Sequence, residues 1–173
     1  MYYALQVKTR AEERFVTLFR ALHPAMDFPI YFPRRVLLER RQGKQAIQKT
    51  LPVFPGYLFS ALREEDSVSD CLNALRKMDN FFRFLPSNSQ VVPLGGRNLE
   101  TVLHFIKHPA GLVGISKVYF NEYERIIVVE GALKGLEGQI VKVDRRKGRA
   151  KIKLDLYGEA FSIDLAFETL ERK

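Results

Sequence analysis

The sequence predicts an α+β protein in two parts: an antiparallel sheet with helices packed on one face, followed by a small five-stranded β-barrel. Three observations carry this. Before residue 108, apolar residues first alternate and then recur at helical spacing, in the order strand, helix, strand, strand, with further helices behind them. After the break at His108-Pro109-Ala110-Gly111, five short runs with strand character follow one another. Between residues 128 and 156, apolar runs are punctuated by Gly131, Gly135, Gly138 and Gly148, and a glycine near a strand end lets the chain turn a corner at positive φ.

The elements follow in order. Residues 2–9 alternate, with Tyr3, Leu5 and Val7 on one face, and form the first strand. Thr9-Arg10-Ala11-Glu12 fits a capping box, in which hydroxyl and carboxylate satisfy free amides at a helix start. Phe15, Leu18, Phe19 and Leu22 give that helix one apolar stripe, and Pro24 ends it. Residues 30–41 read as a strand, Gln42-Gly43-Lys44 as a turn and residues 45–51 as the returning strand. Residues 52–56 bend the chain into a strand at 57–62. Asp66 or Ser67 caps a second helix that buries Val68, Cys71, Leu72, Leu75 and Met78. Short strands at 81–85 and 90–93 precede a third helix, capped by Asn98 and carrying Leu99, Val102, Leu103 and Ile106. The barrel strands fall at 116–120, 125–129, 138–143, 149–154 and 160–165, so the domains are 1–107 and 116–173 with a linker at 108–115. The glycines and β-branched residues of the second domain favour the barrel over any helical form.

The charge is uneven. The net charge is +8, and the residues before Pro109 carry sixteen basic against ten acidic side chains, so most of the excess lies in the first part. A basic balance points to a polyanionic partner, nucleic acid or an acidic protein face. The excess is densest in the hairpin at 30–51, where Arg34, Arg35, Arg40, Arg41, Lys44 and Lys49 stand against Glu39 alone. A second basic turn follows Asp144, with Arg145, Arg146 and Lys147 at a hairpin tip and Arg149 just beyond. Each cluster fits either a solvated face or a nucleic-acid contact.

Other chemistry is not indicated. Cys71 is the lone cysteine, which excludes an intrachain disulfide and a cysteine metal cage; its neighbours at helical spacing make it a small buried hydrophobe. His23, His104 and His108 have no metal-ligand spacing. Glu12-Glu13 and Glu64-Glu65-Asp66 lie at helix starts, where negative charge suits the dipole. No nucleophile elbow, P-loop or dinucleotide fingerprint is present. The expectation is a non-catalytic protein without cofactor or metal. No apolar run reaches membrane-spanning length and no signal-peptide core is present, so a cytoplasmic location is expected.

The stretch 128–156, with its glycine spacing and basic turn, resembles the KOW motif. Together with Tyr2-Tyr3-Ala4-Leu5-Gln6-Val7, the basic hairpin, Phe54-Pro55-Gly56-Tyr57 and Val92-Pro93-Leu94, it makes nearly the whole chain similar to the NusG family of transcription elongation factors. That resemblance implies a NusG N-terminal (NGN) α/β sandwich joined to a KOW barrel, acting as a monomer. It also implies that an apolar patch on the first domain binds the clamp of bacterial RNA polymerase, which would place the protein at the nucleoid. Phe54, Pro55, Gly56 and Tyr57 form the family's corner in that patch. A proline-glycine corner can present aromatic anchors to a partner, although Tyr57, at a strand start, fits a core position equally.

In the family's housekeeping members the KOW domain binds a ribosomal protein or a termination factor through loop aromatics. Leu133, Leu136 and Tyr157 occupy those places here, so aromatic anchoring is reduced. Residues 114–120 with 131–154 look closer to the specialised antiterminator paralogue LoaP, which implies recognition of an RNA hairpin and gives Arg34, Arg35, Arg40, Arg41, Lys44 and Lys49 a role on an RNA stem. The alternatives are a general NusG that couples transcription to translation or to Rho termination, a hairpin that contacts DNA, and a ribosome-associated KOW protein.

Overall fold

The computed structural model describes residues 1–39 and 47–171. In chain order the elements are β1 (Tyr2–Val7), α1 (Glu12–Leu22), β2 (Ile30–Tyr31), β3 (Arg34–Glu39), β4 (Ile47–Pro52), β5 (Tyr57–Ala61), α2 (Val68–Arg76), β6 (Phe81–Phe84), α3 (Gly96–Ile106), β7 (Leu112–Val113), β8 (Ser116–Phe120), β9 (Ile126–Glu130), β10 (Ile140–Asp144), β11 (Arg149–Leu156) and β12 (Glu159–Thr169). They fall into two compact units, Met1–Phe32 with Phe54–Glu100, and Pro33–Val53 with Thr101–Lys173. This division differs from the 1–107, 108–115 and 116–173 expected from the sequence. Strands β3 and β4 group with the barrel strands, and the boundary falls inside α3.

The first unit is an antiparallel sheet of order β2-β5-β1-β6. Register alternates its faces cleanly. Leu5 stands opposite Leu58 and Phe84, and with Tyr3, Val7 and Ile30 these side chains join Phe15 and Phe19 of α1 and Cys71, Ala74 and Leu75 of α2 in one core. Each fully buried side chain of this size contributes about 1.5–3 kcal/mol. The other face carries Tyr2, Ala4, Gln6, Tyr31, Tyr57 and Phe59, as the pairings of Ala4 and Tyr31 with Phe59 and of Gln6 with Tyr57 require.

Local expectations are corrected at four points. The helix start uses Ala11 as N-cap with no side-chain cap, because Glu12 turns its carboxylate elsewhere. The strand expected at 30–41 is broken by Pro33, which has no N–H for a ladder. Residues before it pair with β5 as β2, and residues after it pair with β4 and β7 as β3 in a separate sheet. Helix α3 starts at Gly96, which puts Asn98 inside its first turn. The strand expected at 90–93 is reduced to an isolated bridge between Pro86 and Val91.

The second unit holds the three-stranded sheet β4-β3-β7 and the five-stranded sheet β10-β11-β12-β8-β9. Each of the five expected barrel strands is present, but β10 starts only at Ile140, after a 3-10 turn at Glu137–Gln139, and β12 runs on to Thr169. Strand β12 is long enough to serve two partners: its first part runs antiparallel to β11, and Phe167 to Thr169 run parallel to β8. Ala150, Ile152, Leu154 and Leu156 of β11 and Ile163, Leu165 and Phe167 of β12 are buried at every second position, and Ala166, opposite Arg149, is buried on the other face as well. Strand β3 lies against β12 within this unit. Gly131, at φ 97°, lies so close to β8 that a Cβ there would sit 2.6 Å from Ser116 Cα. No helix among the described residues is long and apolar enough to cross a membrane.

Candidate functional site

The proline-glycine corner is built by two backbone links. Gly56 takes φ 82°, donates its N–H to Glu12 Oε1 at 2.7 Å and accepts from the N–H of Val7 at 2.8 Å. Tyr57 N–H donates to Phe54 O at 3.1 Å and closes the turn. Phe54 and Phe59 meet edge to face with ring centroids 5.6 Å apart, a geometry the aromatic quadrupole favours. The expectation that Phe54 stands displayed as an anchor is corrected, and Tyr57 takes the core position that its strand start equally allowed: they are 0% and 3% exposed, and Pro55 alone of the four reaches the surface. On the same sheet face, Tyr2 and Tyr31 are half-buried, with ring centroids 6.4 Å apart. Sequence reasoning missed these two, although the alternation that buries Tyr3 turns Tyr2 to the opposite face.

The basic hairpin is β3 and β4. Arg40, Arg41 and Lys44 lie outside the described residues. Arg34 is half-buried. Arg35 turns inwards, where Nη1 donates to Pro52 O. Burial pulls its pKa down; Asp164 partly offsets this and Arg149 adds to it. Lys49 is exposed and pairs with Glu39 at 3.4 Å.

At the tip between β10 and β11, Arg145 acts as a clamp within the second unit. Its Nη2 donates to Glu124 O at 2.9 Å, Nη1 lies 3.4 Å from Glu124 Oε1, and the guanidinium sits 3.8 Å from the centroid of Phe120. Arg149 also turns inwards, to Leu38 O at 3.0 Å. Arg146 and Lys147 point to solvent.

The loop expected to receive a partner folds in on itself. Leu133 and Leu136 are 0% and 6% exposed, which corrects their assignment as surface contacts. The close approach of Gly131 lets Ser116 Oγ accept the N–H of Leu133 at 3.1 Å, and His104 Nε2 lies 2.7 Å from Ala132 O. Tyr157 is half-buried in a turn at φ 53°, and burial raises its phenol pKa. No cluster of three or more His, Cys, Asp or Glu side chains able to hold a metal ion occurs among the described residues.

An antiparallel sheet with helices on it and a second unit with a small KOW-type barrel define an α+β protein of two units. Its family follows from comparison. The family model described as "Transcription termination factor nusG" matches residues 1–103, more than half of the chain, and the chain belongs to the NusG family. It is similar to the transcription termination/antitermination protein NusG of Thermus thermophilus, at 25% identity over 149 residues covering 81% of this chain and 78% of the relative. It is similar to NusG of Haemophilus influenzae at 23% identity over 179 residues, covering 99% and 93%. A solved structure of domain interaction in Thermotoga maritima NusG aligns over 95% of this chain and 92% of its own, at 16% identity and a TM-score of 0.47.

Proposed function

We propose that this chain is a cytoplasmic transcription termination/antitermination factor that rides on RNA polymerase through its first unit and does no chemistry itself. The observation that carries the reading is the family match over residues 1–103, which spans the proline-glycine corner and the aromatic sheet face around it. With Phe54 and Tyr57 buried, contact with the polymerase clamp falls to Tyr2, Tyr31 and Pro55 on or beside that face. Binding that prefers the elongating clamp shifts the enzyme away from its paused form without a catalytic step.

The finer proposal is a specialised, LoaP-like antiterminator that takes an RNA hairpin on the basic strands β3 and β4. The buried Leu133 and Leu136 favour it, because they leave little apolar loop surface for a ribosomal protein or termination factor. The general NusG reading draws equal support from relatives that align along almost the whole chain. Co-precipitation of the full chain with RNA polymerase tests the common core. Tyr2→Ala with Tyr31→Ala is expected to reduce recovery severalfold, and unchanged recovery overturns the assignment. Binding of the isolated ribosomal protein by the full chain would decide for the general role.

A further inference from the structure

The loop that leaves α1 borders an open cavity of about 340 Å³ that neither proposed role uses. The loop is pinned along its length. Pro24 and Pro29 fix φ towards its two ends. His23 N–H donates to Phe19 O at 2.9 Å, Met26 N–H donates to His23 O at 3.0 Å, and Pro29 O accepts the N–H of Ala61 at 3.0 Å. Arg63 Nη2 donates to Asp27 O at 3.2 Å. A cavity held in this way is formed before any ligand arrives, and its volume falls among those of small-molecule sites, roughly 300–1,000 Å³.

The floor is apolar and rests on the core. Phe28 is buried and Met26 is half-buried. The Phe28 ring lies against Phe19 with centroids 5.4 Å apart, and Phe19 lies against the imidazole of His23 at 4.9 Å. The wall carries charges of opposite sign that do not meet. Arg20, in the last turn of α1, and Asp27 both line the cavity and are exposed. The two side chains form no ion pair with each other or with any other described residue. Arg63 gives its own charge to Glu65 and Asp66, each at 3.3 Å. One cation and one anion on the same cavity therefore remain available to a guest.

We propose that this cavity is a binding site for a free apolar α-amino acid. Arg20, with His23 beside it, takes the α-carboxylate, a group that the guanidinium fork matches. Asp27 takes the α-ammonium, and the apolar side chain lies on Met26 and Phe28, where the flexible thioether adapts to its shape. A zwitterion satisfies both charges at once, whereas a plain anion meets Asp27 and a plain cation meets Arg20. Tyr2 and Tyr31 lie on the opposite face of the sheet. The site is thus separate from the polymerase contact and gives the first unit a small-molecule ligand of its own.

The test follows amide shifts of the ¹⁵N-labelled full chain during titration with L-phenylalanine, with 3-phenylpropionate, which lacks the ammonium, and with L-phenylalaninamide, which lacks the carboxylate. Saturable shifts centred on residues 20–29 are expected with L-phenylalanine, and binding about tenfold weaker with each of the other two, because each has lost one charged contact. Arg20→Gln is expected to weaken L-phenylalanine about tenfold and to leave the amide unaffected. Asp27→Asn is expected to weaken L-phenylalanine similarly and to leave 3-phenylpropionate unaffected. Both positions are exposed, so the fold is expected to tolerate either change, and unaltered amide shifts outside residues 20–29 in the free variants check this. Absence of saturable shifts with L-phenylalanine and with L-leucine up to about 10 mM overturns the proposal. So does equal weakening of matched and unmatched ligands by either variant, or binding of an N-acetylated peptide ending in phenylalanine as tight as that of the free amino acid, which would assign the cavity to a peptide carboxylate. Polymerase co-precipitation by both variants is expected to be unchanged, which keeps failure here apart from failure of the polymerase reading.

Discussion

Glu12 Oε1 accepts the backbone N–H of Gly56 at 2.7 Å, joining residues 44 positions apart, and the carboxylate is buried at 3% exposure. One side chain thereby fixes the corner on which the aromatic residues of the first unit are mounted. Removing it leaves a buried N–H without an acceptor, at about 1–3 kcal/mol. Glu12→Ala is expected to lower the urea midpoint accordingly, and Glu12→Gln, which keeps an acceptor oxygen, to recover much of the loss. A midpoint equal to the parent's in Glu12→Ala would show that the link is incidental.

Gly131 meets a harder limit. A Cβ there would lie 2.6 Å from Ser116 Cα and 2.7 Å from Ser116 Oγ, at a φ of 97° that disfavours any other residue. Gly131→Ala must push β8 away and break the Leu133 link to Ser116, so a loss of about 1–3 kcal/mol is expected from overpacking with added strain. Thermal unfolding checks this, with Gly138→Ala as control, because nothing lies within 4 Å of a Cβ at that position.

Arg145 separates structure from recognition. Its guanidinium is committed to Glu124 and to the ring of Phe120, a cation–π contact of about 0.5–1 kcal/mol at an exposed site. Arg145→Ala is expected to lower stability by about that amount and Arg146→Ala to leave it unchanged. Nucleic-acid affinity should fall more for Arg146→Ala than for Arg145→Gln. The reverse order would mean that the clamp opens on binding.

Acid should weaken the second unit. His108 has its pKa held below the ordinary value of 6.5 by burial first, and then by His104 and Lys107. A histidine depressed in the folded state binds protons more readily when unfolded. Its contribution is therefore complete above pH 6.5 and is lost as pH falls through 6.5 towards the folded value. Stability from denaturant titrations at stepped pH is expected to drop across that window, with a shallower drop in His108→Gln. An unchanged profile in the variant would place the acid sensitivity elsewhere.

Much of the architecture is legible in the residues themselves. The barrel strands show in their alternation, most plainly in β11, where every second residue is buried, and α1 and α2 show in stripes that become the first core. What was not legible depends on partners distant in sequence. Thr9 to Glu12 has the pattern of a capping box, but an acceptor for Gly56 was worth more than a cap. Pro33 could be read as a local break, yet nothing local says that the strand after it joins another sheet. Phe54, Leu133 and Leu136 carry the chemistry of interface anchors, and the same chemistry also drives burial. Arg35, Arg145 and Arg149 illustrate the corresponding ambiguity for charge, since a guanidinium that can grip phosphate can also bind a backbone carbonyl.

The parallel pairing of β12 with β8 sets the timing of assembly. Ser116 meets Phe167, about fifty residues later in the chain. During synthesis at about 5–20 residues per second, β8 therefore waits roughly 3–10 s with one edge unpaired. The β8–β9 hairpin can form early, but it gains its second neighbour only after β12 has been made. Closure of the barrel is thus a late, non-local step, and ribosome-bound chains stalled before residue 159 should expose β8 to protease until the missing strand is supplied.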